Sequence, residues 1–385
     1  MKLFEKLLVA PAALGLLTPL SVTASEVNLD SISNYSNNNL EIDQNLFTED
    51  SKKDLLLAGG EGLVDTSDIS SETVGGFSET TTASFDVEFL FGALDAGDVD
   101  GLSEATTFDY TMGIGLETSF TGEDSLSATI DIGSTSPLAD DGSLVGSALA
   151  SPAFFNYNAT EDALVLDGLT YTFPVGGATV MVGDNTDISA LYTGACAYNA
   201  FTDYAGNCGT GNSVGLGGNG ATVAMSYAFD SGFSLAGGVS STPDSILTEQ
   251  GADAYGIEAA YTADSWGVAV AYSDVETATF WGVNGMYAFD FATISAGLES
   301  ENPETGDTGT GFFVGLSFPE VGAGSLDLSV GTTGNFADSD TEYYAYEASY
   351  AYPVNDGMTI TPGVAYAETE DGDVTVFAVK TSFSF

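Results

Sequence analysis

Phe108-Asp109-Tyr110-Thr111-Met112-Gly113-Ile114-Gly115-Leu116-Glu117-Thr118-Ser119-Phe120 decides the fold. Phe108, Tyr110, Met112, Ile114, Leu116 and Phe120 occupy one parity, and Asp109, Thr111, Gly113, Gly115, Glu117 and Ser119 the other. Side chains alternate across a β-strand, so this segment has one apolar and one wet face. The pattern precedes it at Ala83, Phe85, Val87, Phe89 and Phe91 and recurs to the end of the chain, as in Trp266/Val268/Val270/Tyr272 and Tyr344/Tyr346/Ala348/Tyr350. Sixteen such segments begin near residues 81, 105, 125, 162, 177, 221, 233, 253, 265, 278, 292, 310, 324, 342, 357 and 373.

The connections alternate as well. Even-to-odd links, such as Thr121-Gly122-Glu123-Asp124 and those around Gly176, Ser231, Asp264, Asp290, Glu320 and Asn355, are tight. Odd-to-even links are mostly longer, the longest running from Ser134 to Glu161 and from Asp184 to Gly220. Short turns at one rim and long loops at the other predict an all-β, antiparallel transmembrane β-barrel of sixteen strands, with short periplasmic turns and long extracellular loops. The apolar residue just before each tight turn is Phe120, Phe173, Phe229, Tyr261, Phe289, Phe318 or Tyr352. All are aromatic, although aromatics make up 11% of the chain, which predicts a girdle at a membrane interface. Asp167 falls on the apolar phase of its strand, so either a bulge near Gly168 or a different strand boundary is expected there.

Charge narrows the function. The 385 residues carry 56 acidic groups against 5 cations, Lys2, Lys6, Lys52, Lys53 and Lys380, for a net charge of −51. Nucleic-acid binding needs a basic stripe, and none exists. With no His and no Arg, an imidazole base, a His-ligated metal or an arginine phosphate clamp is unavailable, so no enzyme and no cofactor is expected.

Residues 1–24 read as a signal peptide: a basic start at Lys2 and Lys6, an apolar stretch from Leu7 to Leu20, and small residues up to Ala24. The apolar stretch is shorter than the ~20 residues a spanning helix needs. Residues 25–79 form a polar, mostly flexible leader, and residues 80–385 the barrel. Export places Cys196 and Cys208 in an oxidising compartment, where a disulfide closing a small loop is expected. Asp184-Asn185-Thr186-Asp187 could offer oxygens to Ca²⁺, but without the spacing of a calcium loop these acids read as solvated.

Several stretches carry a family resemblance. Met1-Lys2-Leu3-Phe4 with Leu7-Leu8-Val9-Ala10-Pro11, Phe77-Ser78-Glu79-Thr80-Thr81-Thr82-Ala83, Ser119-Phe120-Thr121-Gly122-Glu123-Asp124-Ser125-Leu126 and Tyr171-Thr172-Phe173-Pro174-Val175-Gly176 resemble cyanobacterial outer-membrane porins, in particular the porin-like proteins of marine picocyanobacteria. The resemblance implies passive uptake of small solutes and inorganic ions in the outer membrane, of the type often named for iron, and a homotrimer. Many members carry a surface-layer-homology module, which this leader lacks, so wall anchoring is not carried over. The ending Phe377, Val379, Thr381, Phe383, Phe385 resembles the C-terminal signature read by the barrel assembly machinery.

With the apolar face toward lipid, the other face lines the lumen. By phase these residues are Asp86, Glu88, Asp109, Glu117, Asp131, Glu258, Glu299, Asp327 and Glu347, with Lys380 the clear cation. Carboxylates in a water-filled channel between low-dielectric walls concentrate cations, which predicts a cation-preferring pore. The competing reading is an acidic secreted or surface β-sandwich without transport; a hydrolase on a barrel has no supporting motif. The two longest loops are the candidates to fold inward and set the bore.

Overall fold

A computed structural model describes residues 81–95, 104–134, 154–155, 157–203, 220–243, 246, 253–333, 342–369 and 372–385. The expected signal peptide, the leader and Cys208 lie outside the described residues. Sixteen antiparallel strands follow in order. The first eight are β1 (Thr82–Asp95), β2 (Thr107–Thr118), β3 (Ser125–Gly133), β4 (Val165–Val175), β5 (Ala178–Thr186), β6 (Gly220–Ala228), β7 (Phe233–Ser241) and β8 (Asp253–Thr262). The rest are β9 (Trp266–Asp274), β10 (Ala278–Ala288), β11 (Thr293–Pro303), β12 (Gly309–Val321), β13 (Gly324–Thr332), β14 (Tyr344–Asn355), β15 (Met358–Thr369) and β16 (Gly372–Ser384).

Each strand pairs with its neighbours in sequence, and β1 pairs with β16, closing one barrel. Closure removes the free edges that a two-sheet sandwich would keep. At the seam Phe85 and Phe385 exchange backbone hydrogen bonds of 2.8 and 3.0 Å, and their rings stack at 5.5 Å. The terminal residue is therefore part of the closing ladder.

The apolar phase of each strand faces outward. Phe91, Phe108, Val223, Val270 and Phe377 are all exposed on it, as a lipid-facing wall requires. Near the short turns the outward rings touch in succession. Tyr171 lies 6.3 Å from Phe120 and 5.4 Å from Phe173, Tyr261 lies 4.7 Å from Phe233 and 5.0 Å from Trp266, and Phe289 lies 4.7 Å from Tyr287 and 6.0 Å from Phe291. Of the other residues expected in the girdle, Phe229 pairs with Tyr227 at 4.7 Å, Tyr352 is exposed and Phe318 half-buried.

The turns have local causes. Gly176 and Gly177 link β4 to β5 with φ of 59° and 94°, the left-handed pair that matches strand twist in a two-residue hairpin. The β2–β3 turn is organised by Asp124 instead. One carboxylate oxygen, Oδ1, accepts from Ser119 Oγ (2.9 Å), Phe120 N (3.0 Å), Thr121 N (2.7 Å) and Thr121 Oγ1 (2.8 Å). Tyr171 OH donates to the other oxygen at 2.7 Å, tying β4 to the turn. These donors, the Tyr171 hydroxyl foremost, hold the Asp124 carboxyl well below its ordinary value. A depressed carboxyl stabilises the fold above its ordinary range and loses that contribution as pH falls through its folded value. Asp124→Asn is expected to lower the thermal transition of the purified protein by a few degrees at neutral pH and to have little effect in strong acid, as read by circular dichroism.

The expected bulge is present. Thr129 pairs with Gly168 and Ile130 with Leu166, so Asp167 is the extra residue of β4. Thr129 Oγ1 donates to Asp167 Oδ2 at 3.4 Å and shares its proton with Gly168 O. An outward-phase acid is thereby re-aimed toward the inward hydroxyl of Thr129.

Candidate functional site: the loop-lined lumen

The lumen is not an open tube. After β5, Asp187 caps a 3-10 turn, Ile188–Leu191, by accepting from Ser189 N at 2.7 Å. The chain then runs along the inner wall as far as residue 203. Ile188, Tyr192 and half-buried Leu191 pack on Met181, Ala224, Ala236 and Ala271 of β5, β6, β7 and β9. Alternate backbone N–H groups next donate to side chains further round the wall: Thr193 N to Glu258 Oε1 on β8 (2.5 Å), Ala195 N to Asn284 Oδ1 on β10 (3.1 Å) and Ala197 N to Ser295 Oγ on β11 (3.0 Å). An extended segment presents every second N–H to one side, so a row of acceptors can hold it.

Glu347 on β14 holds the far end. Its Oε1 accepts from Tyr198 OH (2.8 Å) and Phe201 N (2.9 Å), and its Oε2 from Thr202 N and Thr202 Oγ1 (both 2.9 Å). Burial, and after it the Glu347 charge, raises the Tyr198 phenol above its ordinary value, so it stays a donor. The wall gives way to the loop at two glycines. A Cβ on Gly315 would stand 2.4 Å from the Tyr198 ring, and one on Gly363 2.5 Å from the Phe201 ring. Neither separation is tolerable, so the close approach itself requires glycine there.

A second segment enters from the loop between β3 and β4. Phe154, Phe155 and Tyr157 join Phe201 and the inward side chains Leu90, Leu94, Val374 and Val376 in a dry cluster on β1 and β14–β16. Leu90 and Val376 are 0% exposed, so this sector of the lumen is packed like a protein interior. Asp203 N donates to Phe154 O at 2.7 Å, joining the two inward segments. Burial raises the Asp203 carboxyl above its ordinary value, an effect opposed by Lys380 and reinforced by Glu347.

Lys380 sits where the segments meet the wall. Its Nζ lies 3.4 Å from Glu88 Oε1, 5.1 Å from the Phe155 ring centroid and 5.5 Å from that of Phe201. Glu88 also accepts from Tyr157 OH (2.6 Å) and Ser382 Oγ (2.8 Å). A polar cavity of about 90 Å³ lies beside this group, bounded also by Asp327, Ser349 and Thr361.

The ten lumen residues read from the sequence thus separate by environment. Asp109, Glu258, Glu299, Asp327 and Glu347 are buried, Glu258 to 1%. Glu258 and Glu347 face backbone donors of the loop instead of free water. Glu88 and Lys380 form the clasp just described. Glu117 and Asp131 are half-buried, and Asp86, which accepts from Ser384 Oγ at 2.6 Å, is exposed. Cys196 is disulfide-bonded and packs on Phe313 beneath the loop. Among the described residues no group of three His, Cys, Asp or Glu side chains could hold a metal ion. Within Asp184–Asp187, Asn185 Nδ2 donates to Leu166 O at 3.2 Å and Asp187 caps the 3-10 turn.

Solved structures share this architecture. A mutant of Rh. blastica porin matches with a TM-score of 0.52 at 18% identity, covering 79% of this chain and 100% of that one. Pseudomonas putida OprB at high pH matches with a TM-score of 0.59 at 13% identity, covering 79% and 94%. The chain has the porin fold. A further porin-fold structure, described by the asymmetric conductivity of engineered proteins, matches with a TM-score of 0.53 at 18% identity. No protein-family model matches the sequence, and neither does any curated protein sequence.

The anchors Asn284, Ser295, Gly315 and Gly363, and the dry cluster around Leu90 and Val376, are absent from the sequence reading. One signal for the cluster was available. In β16 the inward parity reads Val374, Val376, Ala378 while the outward parity reads Phe377, Val379, so both faces are apolar. A strand apolar on both faces is covered on both.

Proposed function

We propose that this protein is an outer-membrane porin through which small hydrophilic solutes and inorganic ions diffuse passively, with a preference for cations. The observation that carries the reading is a closed sixteen-stranded barrel, apolar outside, with a loop fixed along its inner wall and an acidic strip left half-open. A lipid-facing exterior and a polar, narrowed interior are what passive permeation requires. Export by residues 1–24, insertion by the barrel assembly machinery through the Phe385 terminus, an aromatic girdle at the lipid interface, a Cys196–Cys208 disulfide and a homotrimer complete the proposal. The resemblance to cyanobacterial porins supports inorganic ions, iron among them, as cargo. No catalysis and no cofactor enter it.

The test is insertion of the purified full chain into a planar bilayer under a KCl gradient. Discrete conductance steps and a reversal potential of cation-selective sign are expected. Absence of steps overturns the channel, and an anion-selective sign overturns the preference.

A further inference from the structure

The inward positions of the strands are unequally covered. Every inward residue of β9 from Gly267 to Ser273, and of β10 from Ala278 to Met286, is buried. On the opposite wall Thr111 to Glu117 of β2, Ser125 to Asp131 of β3, and Thr170 and Thr172 of β4 are all half-buried. One side of the lumen is therefore occupied by the loop and the dry cluster, and the other is a hydroxyl-rich strip in contact with water.

Carboxylates on that strip and on the adjoining β1 share a row. Asp86 is registered opposite Gly113, and Gly113 opposite Asp131. A Cβ on Gly113 would have only Asp131 Oδ1 near it, at 3.9 Å, so nothing else covers the wall at Gly113, between the two acids. The bulge adds a third acid, because exposed Asp167 is drawn to Thr129 Oγ1, next to Asp131 in sequence order along the inward face. Hydrated cations follow charge that is both unneutralised and wet, because a carboxylate enclosed by N–H donors presents little field to the water.

We propose, building on the porin reading above, that ions cross along the β2–β4 wall and that Asp86, Asp131 and Asp167 set the cation preference. Glu258 and Glu347 instead set the bore, by holding the loop. The bulge at Asp167 is then a selectivity device: it brings to the pore an acid that strand phase alone would point at lipid.

The test compares full-chain variants in planar bilayers. The double substitution Asp131→Asn with Asp167→Asn is expected to lower the K⁺/Cl⁻ permeability ratio on the order of threefold. Glu347→Gln is expected to change conductance far more than the ratio. A second measurement reads access to the wall instead of selectivity: Thr129→Cys treated with a cationic methanethiosulfonate should lose current, and Ala269→Cys should not. The inference is overturned if channels form but the ratio ignores Asp131 and Asp167, or if Ala269→Cys is blocked and Thr129→Cys is not. A wild-type chain that forms no channels refutes the porin reading itself, a different outcome.

Discussion

Glu347→Ala is expected to roughly double single-channel conductance while leaving the barrel folded. Four hydrogen bonds converge on this carboxylate, three of them from residues 201 and 202 at the end of the inward loop. A hydrogen bond to a charged group contributes about 1.5–3 kcal/mol, so removing the acceptor withdraws several kcal/mol from loop docking and leaves buried N–H groups without partners. The strand ladder is untouched, because Glu347 pairs through its backbone with Ser329 and Ala365. The loop end should therefore leave the wall without opening the sheet. Glu347→Gln is an intermediate case, since an amide keeps one acceptor oxygen but turns a donor toward the remaining N–H groups. Conductance steps in 1 M-scale KCl check the size of the effect, and heat-modifiable migration in SDS checks the fold. An unchanged conductance in Glu347→Ala would mean that packing and the anchors Glu258, Asn284 and Ser295 hold the loop without it.

Lys380→Met is expected to raise both cation preference and open-channel noise. Lys380 is the only cation among the described residues, and it faces the lumen. Its loss removes a positive charge from an acidic lumen, which shifts the reversal potential further in the cation-selective direction. It also removes two ammonium–ring contacts, to Phe155 and Phe201, each worth about 0.5–2 kcal/mol depending on desolvation. Those rings belong to the two inward segments, so both lose a fixing point, and current fluctuations report their motion. Lys380→Arg keeps the charge and the ring contacts and should behave as wild type in selectivity. Reversal potentials and noise spectra of the three proteins are the measurement, and equal noise in Lys380→Met would exclude the clasp.

Strand phase was legible because it is local. Side chains alternate at each residue, so Phe108 to Phe120 reveals its two faces without any partner, and a bilayer outside a water-filled interior imposes the same alternation sixteen times. Strand starts fall within about three residues of their expected positions for the same reason. Asp167 on an apolar phase called for an extra residue or a shifted strand boundary, and the ladder decides for the extra residue. The loops were legible only by length. Whether Ser134–Glu161 or Asp184–Gly220 turns inward depends on contacts with residues up to 149 positions away, such as Tyr198 with Glu347, and no local pattern encodes them.

By itself the sequence determined the sheet: its number of strands, its closure order, its greasy exterior and its acidic interior, because period-two alternation and short-turn parity are properties of neighbouring residues. Only the tertiary structure decided which interior acids meet water. Phase placed Glu258, Glu347, Asp86 and Asp131 on one face without distinction, but a carboxylate's effect on a passing ion depends on what lies above it. Loop backbone covers the first two, whereas Asp86 is exposed and Asp131 half-buried. Burial and hydrogen bonding turn equal charges into anchors on one wall and a path on the other.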